Sequence, residues 1–172
     1  ASKLTAISAN TGATYAAQKA AMLAAGYATG LVDQIFMDAA STVNANGEAT
    51  LFVDKKFADY LAHDIKVTYK SNLPFDRIFD GFYLAYYDGH PIVAIEAWDY
   101  MIDTYENTGA AWNKPFRAVL ANPRNLLVGV DKENPVNDVD IIFDRVNRMN
   151  HIYATGKIDT LVASADFVHV AY

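Results

Sequence analysis

The chain has 172 residues, enough for one domain or one domain with a small appendage. A domain of this size buries roughly 70% of its unfolded surface and needs no covalent or metal staple. It has no cysteine, which excludes a disulfide scaffold, a thiolate zinc site, a cysteine nucleophile and an iron–sulfur cluster. With 14 basic and 20 acidic residues, the net charge of −6 makes it a poor ligand for a phosphate backbone. A hydrophobic content of 52%, with 13% aromatic, excludes a disordered chain. No apolar run approaches the ~20 residues of a membrane span, and no basic start with an apolar core marks a signal peptide.

The first predicted element is helical. Thr14 to Ala25 is alanine-rich, and Leu31, Ile35 and Ala39 then repeat at helical spacing with Asp33, Gln34 and Asp38 opposite. Gly26 and Gly30 interrupt the run, so 14–41 reads as one kinked helix or two short ones. Asn44 to Gly47 is turn chemistry. Thr50-Leu51-Phe52-Val53 reads as a short buried strand, with Asp54 as the N-cap of a helix over about 55–63. His63 then reads as a helix C-terminal histidine. Residues 64–80 show no regular period.

The cleanest local signal follows. Phe82 to Tyr87 and His90 to Ile95 flank Asp88-Gly89, the pattern of a β-hairpin on a two-residue turn. That register puts Leu84 with Val93 and Phe82 with Ile95 on one face, and Tyr83 with Ala94 and Ala85 with Ile92 on the other. Both faces are apolar, which predicts a hairpin inside a sheet covered on both sides. Pro91 predicts a missing donor facing outward near the turn. Trp98 to Tyr105 reads as a helical turn, 107–111 as a loop, and 117–120 and 126–130 as short strands. Beyond a polar loop over 131–138, residues 140–147 and 149–162 read as long strands, and 167–172 as a closing one. The shift in composition near 131–139 is the predicted boundary between 1–131 and 132–172.

Catalytic motifs are scarce. The sequence contains no Gly-rich phosphate loop, no G-x-S-x-G elbow and no H-E-x-x-H pair. Asp88 and His90 could share a metal with Glu96 or Asp99 only if the loop folded back; a turn aspartate and an exposed histidine is the simpler reading. Asp131, Glu133, Asp138 and Asp140 lack the EF-hand spacing and read as a solvated loop. Asp88, Glu96, Asp99 and Asp103 leave open an enzyme with an acidic cleft in an α/β core. No cofactor is expected. The charge is uneven, with ten acids and five bases in 51–110, the segment that also carries Tyr83, Tyr86, Tyr87, Trp98, Tyr100 and Tyr105. Such rings suit a protein–protein contact.

The order of motifs adds to this. Leu31 to Ala40 is followed by Thr50-Leu51-Phe52-Val53-Asp54, Asp80-Gly81-Phe82 and Tyr87-Asp88-Gly89-His90-Pro91-Ile92-Val93. Then come Trp98-Asp99, Arg117 to Ala121, Asn125-Leu126-Leu127-Val128-Gly129-Val130-Asp131, and Phe167 to Tyr172. Over most of 30–172 this resembles the C-terminal part of a tailed-bacteriophage major capsid protein of the Hong Kong 97 type. The family pattern matches at Asp88, Gly89, Pro91, Asn125, Leu126, Gly129 and Asp131, while Val130 stands where threonine is usual.

The resemblance implies an α+β fold: an axial domain of mixed sheet and helices, and long strands that belong to a peripheral domain and return to the core. It implies a structural subunit rather than an enzyme, packed with its copies into pentamers and hexamers of a shell around DNA. Implied partners are other capsid subunits, with scaffolding, portal or decoration proteins, and neither membrane nor specific nucleic acid. The implied place is the virion, assembled in the bacterial host cytoplasm. A protein-cargo nanocompartment shell, related in fold, is an alternative beside the acidic-cleft enzyme. Trp112, Lys114, Arg145 and Arg148 are the expected subunit contacts. The family's N-terminal arm, extended loop and spine helix have no counterpart here. Together with the start at Ala1-Ser2-Lys3, this reads as a fragment, expected to be a monomer or weak oligomer in dilute solution.

Overall fold

The computed structural model describes residues 4–44, 49–107, 109–130, 138–144, 149–155 and 158–172. The chain divides into two compact units, one of 1–123 with 165–172 and one of 124–164. The polar run 131–137, where the sequence places its boundary, lies outside the described residues.

The first unit is built on a mixed seven-stranded sheet flanked by helices. Its strands are β1 (Leu4–Thr5), β2 (Thr50–Asp54), β3 (Asp76–Phe79), β4 (Phe82–Tyr87), β5 (His90–Ile95), β6 (Ala118–Ala121) and β11 (Val168–Ala171). Their order across the sheet is β1-β11-β6-β2-β5-β4-β3. The parallel pair β2–β5 requires a crossover, and α3 (Lys55–Thr68) supplies it before the chain turns through β3 and β4.

The helical segment at the start is two helices, α1 (Tyr15–Met22) and α2 (Tyr27–Asp38), bent by 79°. Gly26 makes the bend at φ +75°, a left-handed value that favours glycine. No single helix among the described residues is long and apolar enough to cross a membrane.

The hairpin forms as the sequence predicts, with Tyr87 opposite His90 and Phe82 opposite Ile95. Asp88 at φ +48° and Gly89 at φ +79° give the primed turn that matches strand twist. Tyr86 lies opposite Pro91, and β2 pairing begins only at Ile92, so the proline stands just outside the paired stretch on that side.

Several elements depart from expectation. Helix α3 runs on to Thr68, so His63 is an exposed mid-helix residue rather than a C-terminal one. Asp64, the next residue, lies buried within the helix and accepts from the Thr29 N–H of α2. Strand β3 forms within 64–80, and 96–105 is a full helix, α4 (Glu96–Tyr105).

The two faces of the sheet differ. Leu51, Val53, Ile92, Ala94, Ala118, Leu120 and Ala171 are buried in one cluster with Phe57, Leu61 and Ile65 of α3 and Leu31, Val32 and Ile35 of α2. The alternate positions form a row read directly from the pairing: Val170 opposite Val119, Val119 opposite Phe52, Phe52 opposite Val93, Val93 opposite Leu84. Every residue of that row is only partly buried. The expectation of full cover on both sides therefore fails for this second face, which the short helix α4 borders at the groove.

The second unit contains two antiparallel pairs: β7 (Leu126–Val130) with β10 (Ile158–Val162), and β8 (Asp138–Asp144) with β9 (Met149–Thr155). The expected single strand over 149–162 is thus two strands with different partners. Asn125 closes this unit. Its Oδ1 accepts from the Ser164 N–H at 2.8 Å, its Nδ2 donates to the Ser164 carbonyl at 2.8 Å, and its own carbonyl accepts from the Ala163 N–H at 2.9 Å. A buried amide with both ends bonded is specific to Asn or Gln.

Candidate functional site

The acidic residues converge where strands β2 and β5 run into helices α3 and α4. Asp54 ends β2 and caps α3: one oxygen accepts from the Phe57 N–H at 2.9 Å, the other from the Arg117 N–H at 2.8 Å. It is fully buried. Burial outweighs these bonds and pushes its carboxyl up to about 7. Asp99, on the first turn of α4, accepts from the Lys56 N–H at 3.1 Å, and burial raises it to about 6. The Lys56 ammonium pairs with Asp103 at 2.5 Å.

Raised carboxyls can mark general acids, but the geometry here is that of helix termini. Both Asp54 oxygens are taken by backbone donors, and neither Asp54 nor Asp99 lines a described cavity. The cluster ties α3 to α4 and to the strand that follows the 107–117 loop.

That loop is latched to α1. The Trp112 and Tyr15 rings stack at 3.8 Å with an interplanar angle of 1°, and the Lys56 ammonium lies 5.1 Å from the Trp112 ring. Gln18 is buried and bonds the Trp112 backbone on both sides, accepting from its N–H at 3.1 Å and donating to its carbonyl at 2.8 Å. Arg117 pairs with Glu106 at 2.9 Å, a contact that holds the Glu106 carboxyl low. Trp112, expected at a subunit contact, thus spends its ring within the chain.

Lys114 is exposed and positioned differently. At φ +47° it turns its ammonium over the Tyr172 ring at 3.6 Å. It stands at the rim of a groove of about 380 Å³ lined by Trp98, Met101 and Ile102 of α4, Val119 of β6 and Val170 of β11. The groove is the α4 end of the sheet's second face. Lys114 and Arg117 are its only charged lining residues.

The acids proposed for a cleft are not one group. Asp88 sits in the β4–β5 turn, lining a separate hollow with Asp33, Phe36, Met37, Tyr87 and His90. The six residues of β5, about 20 Å of strand, separate it from α4. In that hollow the His90 ring stacks on Phe36 at 4.3 Å and the Tyr87 hydroxyl donates to Asp33 at 3.2 Å; burial, then Asp33, pushes the phenol up to about 12. Glu96 starts α4 beside Gly81, and only Asp99 and Asp103 share a neighbour, Lys56. Among the described residues no cluster of three acids or histidines is placed to hold a metal ion.

Asn125 and Leu126 belong to the clasp and to β7, and Gly129 pairs opposite Asp159. Asp131, Arg145 and Arg148 lie outside the described residues. The groove itself escaped sequence reading, although Trp98, Met101 and Ile102 at i, i+3 and i+4 carry a helical apolar signal. Comparisons with protein-family models, with curated proteins and with solved structures each return no match.

Proposed function

We propose that the chain is a structural shell subunit of the tailed-phage major capsid type. The observation that carries this reading is the path of the chain. It leaves the mixed sheet after β6, builds a separate unit of antiparallel strand pairs over 124–164, and returns as β11 paired to β6. An axial domain from which peripheral strands depart and to which the chain returns has this order. The helix-flanked sheet and the clasp at Asn125, which fastens the two ends of the excursion, agree with it. In this reading the protein acts by packing against its own copies, as rings of five and six that enclose DNA in a virion assembled in a bacterial cytoplasm. Closed rings of like subunits need repeated heterologous contacts rather than a chemical site.

Sedimentation velocity across a concentration series, with negative-stain microscopy of the concentrated end, tests the proposal. The expected result is monomer at micromolar concentration and fivefold or sixfold rings as concentration rises. A chain that stays monomeric at about a thousandfold higher concentration overturns it.

A further inference from the structure

The open end of the second sheet face meets its complement at the far edge of the same sheet. Strand β3 is that edge, and all four of its residues are exposed. Ile78 is 57% and Phe79 71% exposed, unusual for apolar side chains on an unpaired edge. Phe79 pairs opposite Phe82, with the rings 6.3 Å apart, so it lies on the second face. Asp76 stands beside it, opposite Leu84, and no cation pairs with it among the described residues. At the other end is the groove, apolar in its walls, with the Lys114 ammonium at its rim. No carboxylate pairs with Lys114 among the described residues.

The two features are complementary in shape class and in sign: an exposed aromatic beside a carboxylate with no cation partner, and an apolar groove beside a cation with no carboxylate partner, among the described residues. One copy cannot bring them together. Strands β2, β5 and β4 lie between β6 and β3, a separation of about 19 Å at normal strand spacing.

We infer that the β3 edge of one copy, with Phe79 as its anchor and Asp76 facing Lys114, seats in the groove between α4 and β6–β11 of a second copy. A plug and a socket on opposite ends of one sheet join unlike surfaces, so the contact can pass from copy to copy. The inference rests on the shell reading for its purpose and deepens it by naming the contact.

The natural absence of cysteine makes a clean test. Asp80→Cys, next to the anchor and leaving it in place, and Met101→Cys both fall at exposed positions, where folding is not at stake. Under mild oxidation at high protein concentration, a mixture of the two variants gives covalent dimers containing one of each, and neither variant alone gives any. Crosslinking of the Asp80 variant with itself, or none in the mixture, overturns the inference. As a second measurement, Lys114→Glu weakens self-association about fivefold and Asp76→Lys in the same chain restores it; a double variant as weak as the single one overturns the pairing. The outcome for the shell reading is separate. Rings formed by the unaltered chain while the cysteine pair stays unlinked overturn the contact and keep the shell. Linking of the pair without rings at any concentration keeps the contact and removes the shell.

Discussion

The two faces of the seven-stranded sheet are built from similar residues and end in different states. On one, Leu51, Val53, Ile92 and Leu120 are sealed under α2 and α3. On the other, Phe52, Val93, Val119 and Val170 stay partly open beside α4. Side-chain type does not make the difference, since valine, leucine and isoleucine occur on both. Helix supply does: α2 and α3, with 12 and 14 residues, pack on the first face, whereas α4, with ten, lines the groove on the second. An apolar face left half-covered by its own chain is a face with capacity for a partner.

The largest expected effect breaks the sealed face. Phe57 and Leu51 are wholly buried, so Phe57→Ala and Leu51→Ala each cost about 3–4 kcal/mol, from lost transfer energy and the cavity left behind. Phe52→Ala, directly across the same strand, costs about half as much, because Phe52 is already partly hydrated. Urea unfolding measures both; equal losses would mean that the second face is sealed in solution.

How much of this was legible depended on range. The Asp88-Gly89 turn and the Asp54 bond to the Phe57 N–H are local devices that close within three residues, and both form as the sequence predicts. The role of Asp64 is not legible locally, because its partners on α2 are 35 and 38 residues away. It accepts from the Gly26 N–H at 2.7 Å, the Thr29 N–H at 3.0 Å and the Thr29 hydroxyl at 2.9 Å, so a side chain of α3 caps α2, whose own cap residue has no side chain. Strand β3 was missed because Asp76-Arg77-Ile78-Phe79 has no alternation. The openness of the second face was invisible for a deeper reason: an apolar alternate position reads the same whether a helix or another copy covers it.

Asp64 supplies the next effect. Asp64→Ala strands the Gly26 and Thr29 donors under α3 and costs about 2–3 kcal/mol. Since α2 belongs to the sealed face, the loss is expected as looser packing there. Hydrogen exchange would show α2 amides unprotected before those of β4 and β5; uniform loss would remove Asp64 from the role of cap.

The carboxyls at the α3–α4 junction give a smaller effect with a definite sign. Asp54 and Asp99 are held above their unfolded value of 3.8, at about 7 and about 6, by burial first. Between these values and about pH 4 the folded chain binds protons that the unfolded chain does not, so stability rises as pH falls from 7.5 to 5. Asp64 works the other way. Burial opposes it, but the bonds from Thr29, Gly26 and Thr68 hold it below 3.8, so its contribution is present above that value and lost in stronger acid. Denaturant midpoints should peak between the two regimes. Asp54→Asn keeps a capping oxygen and flattens the rise toward pH 5; an unchanged slope would place the linkage elsewhere.

The smallest effect is the sharpest for the comparison. Val53→Thr puts a hydroxyl into the sealed cluster with no partner and costs about 2 kcal/mol. Val119→Thr, on the adjacent strand but on the open face, changes monomer stability by less than about 0.5 kcal/mol, because water reaches the new hydroxyl through the groove. The same Val119→Thr variant should nonetheless weaken self-association, since it makes the socket polar where Phe79 of a second copy would seat. A residue that is neutral in the monomer and costly between copies belongs to an interface rather than a core. A Val119→Thr variant that unfolds as readily as Val53→Thr would show that the face is core after all, and that its partial exposure has no partner to explain.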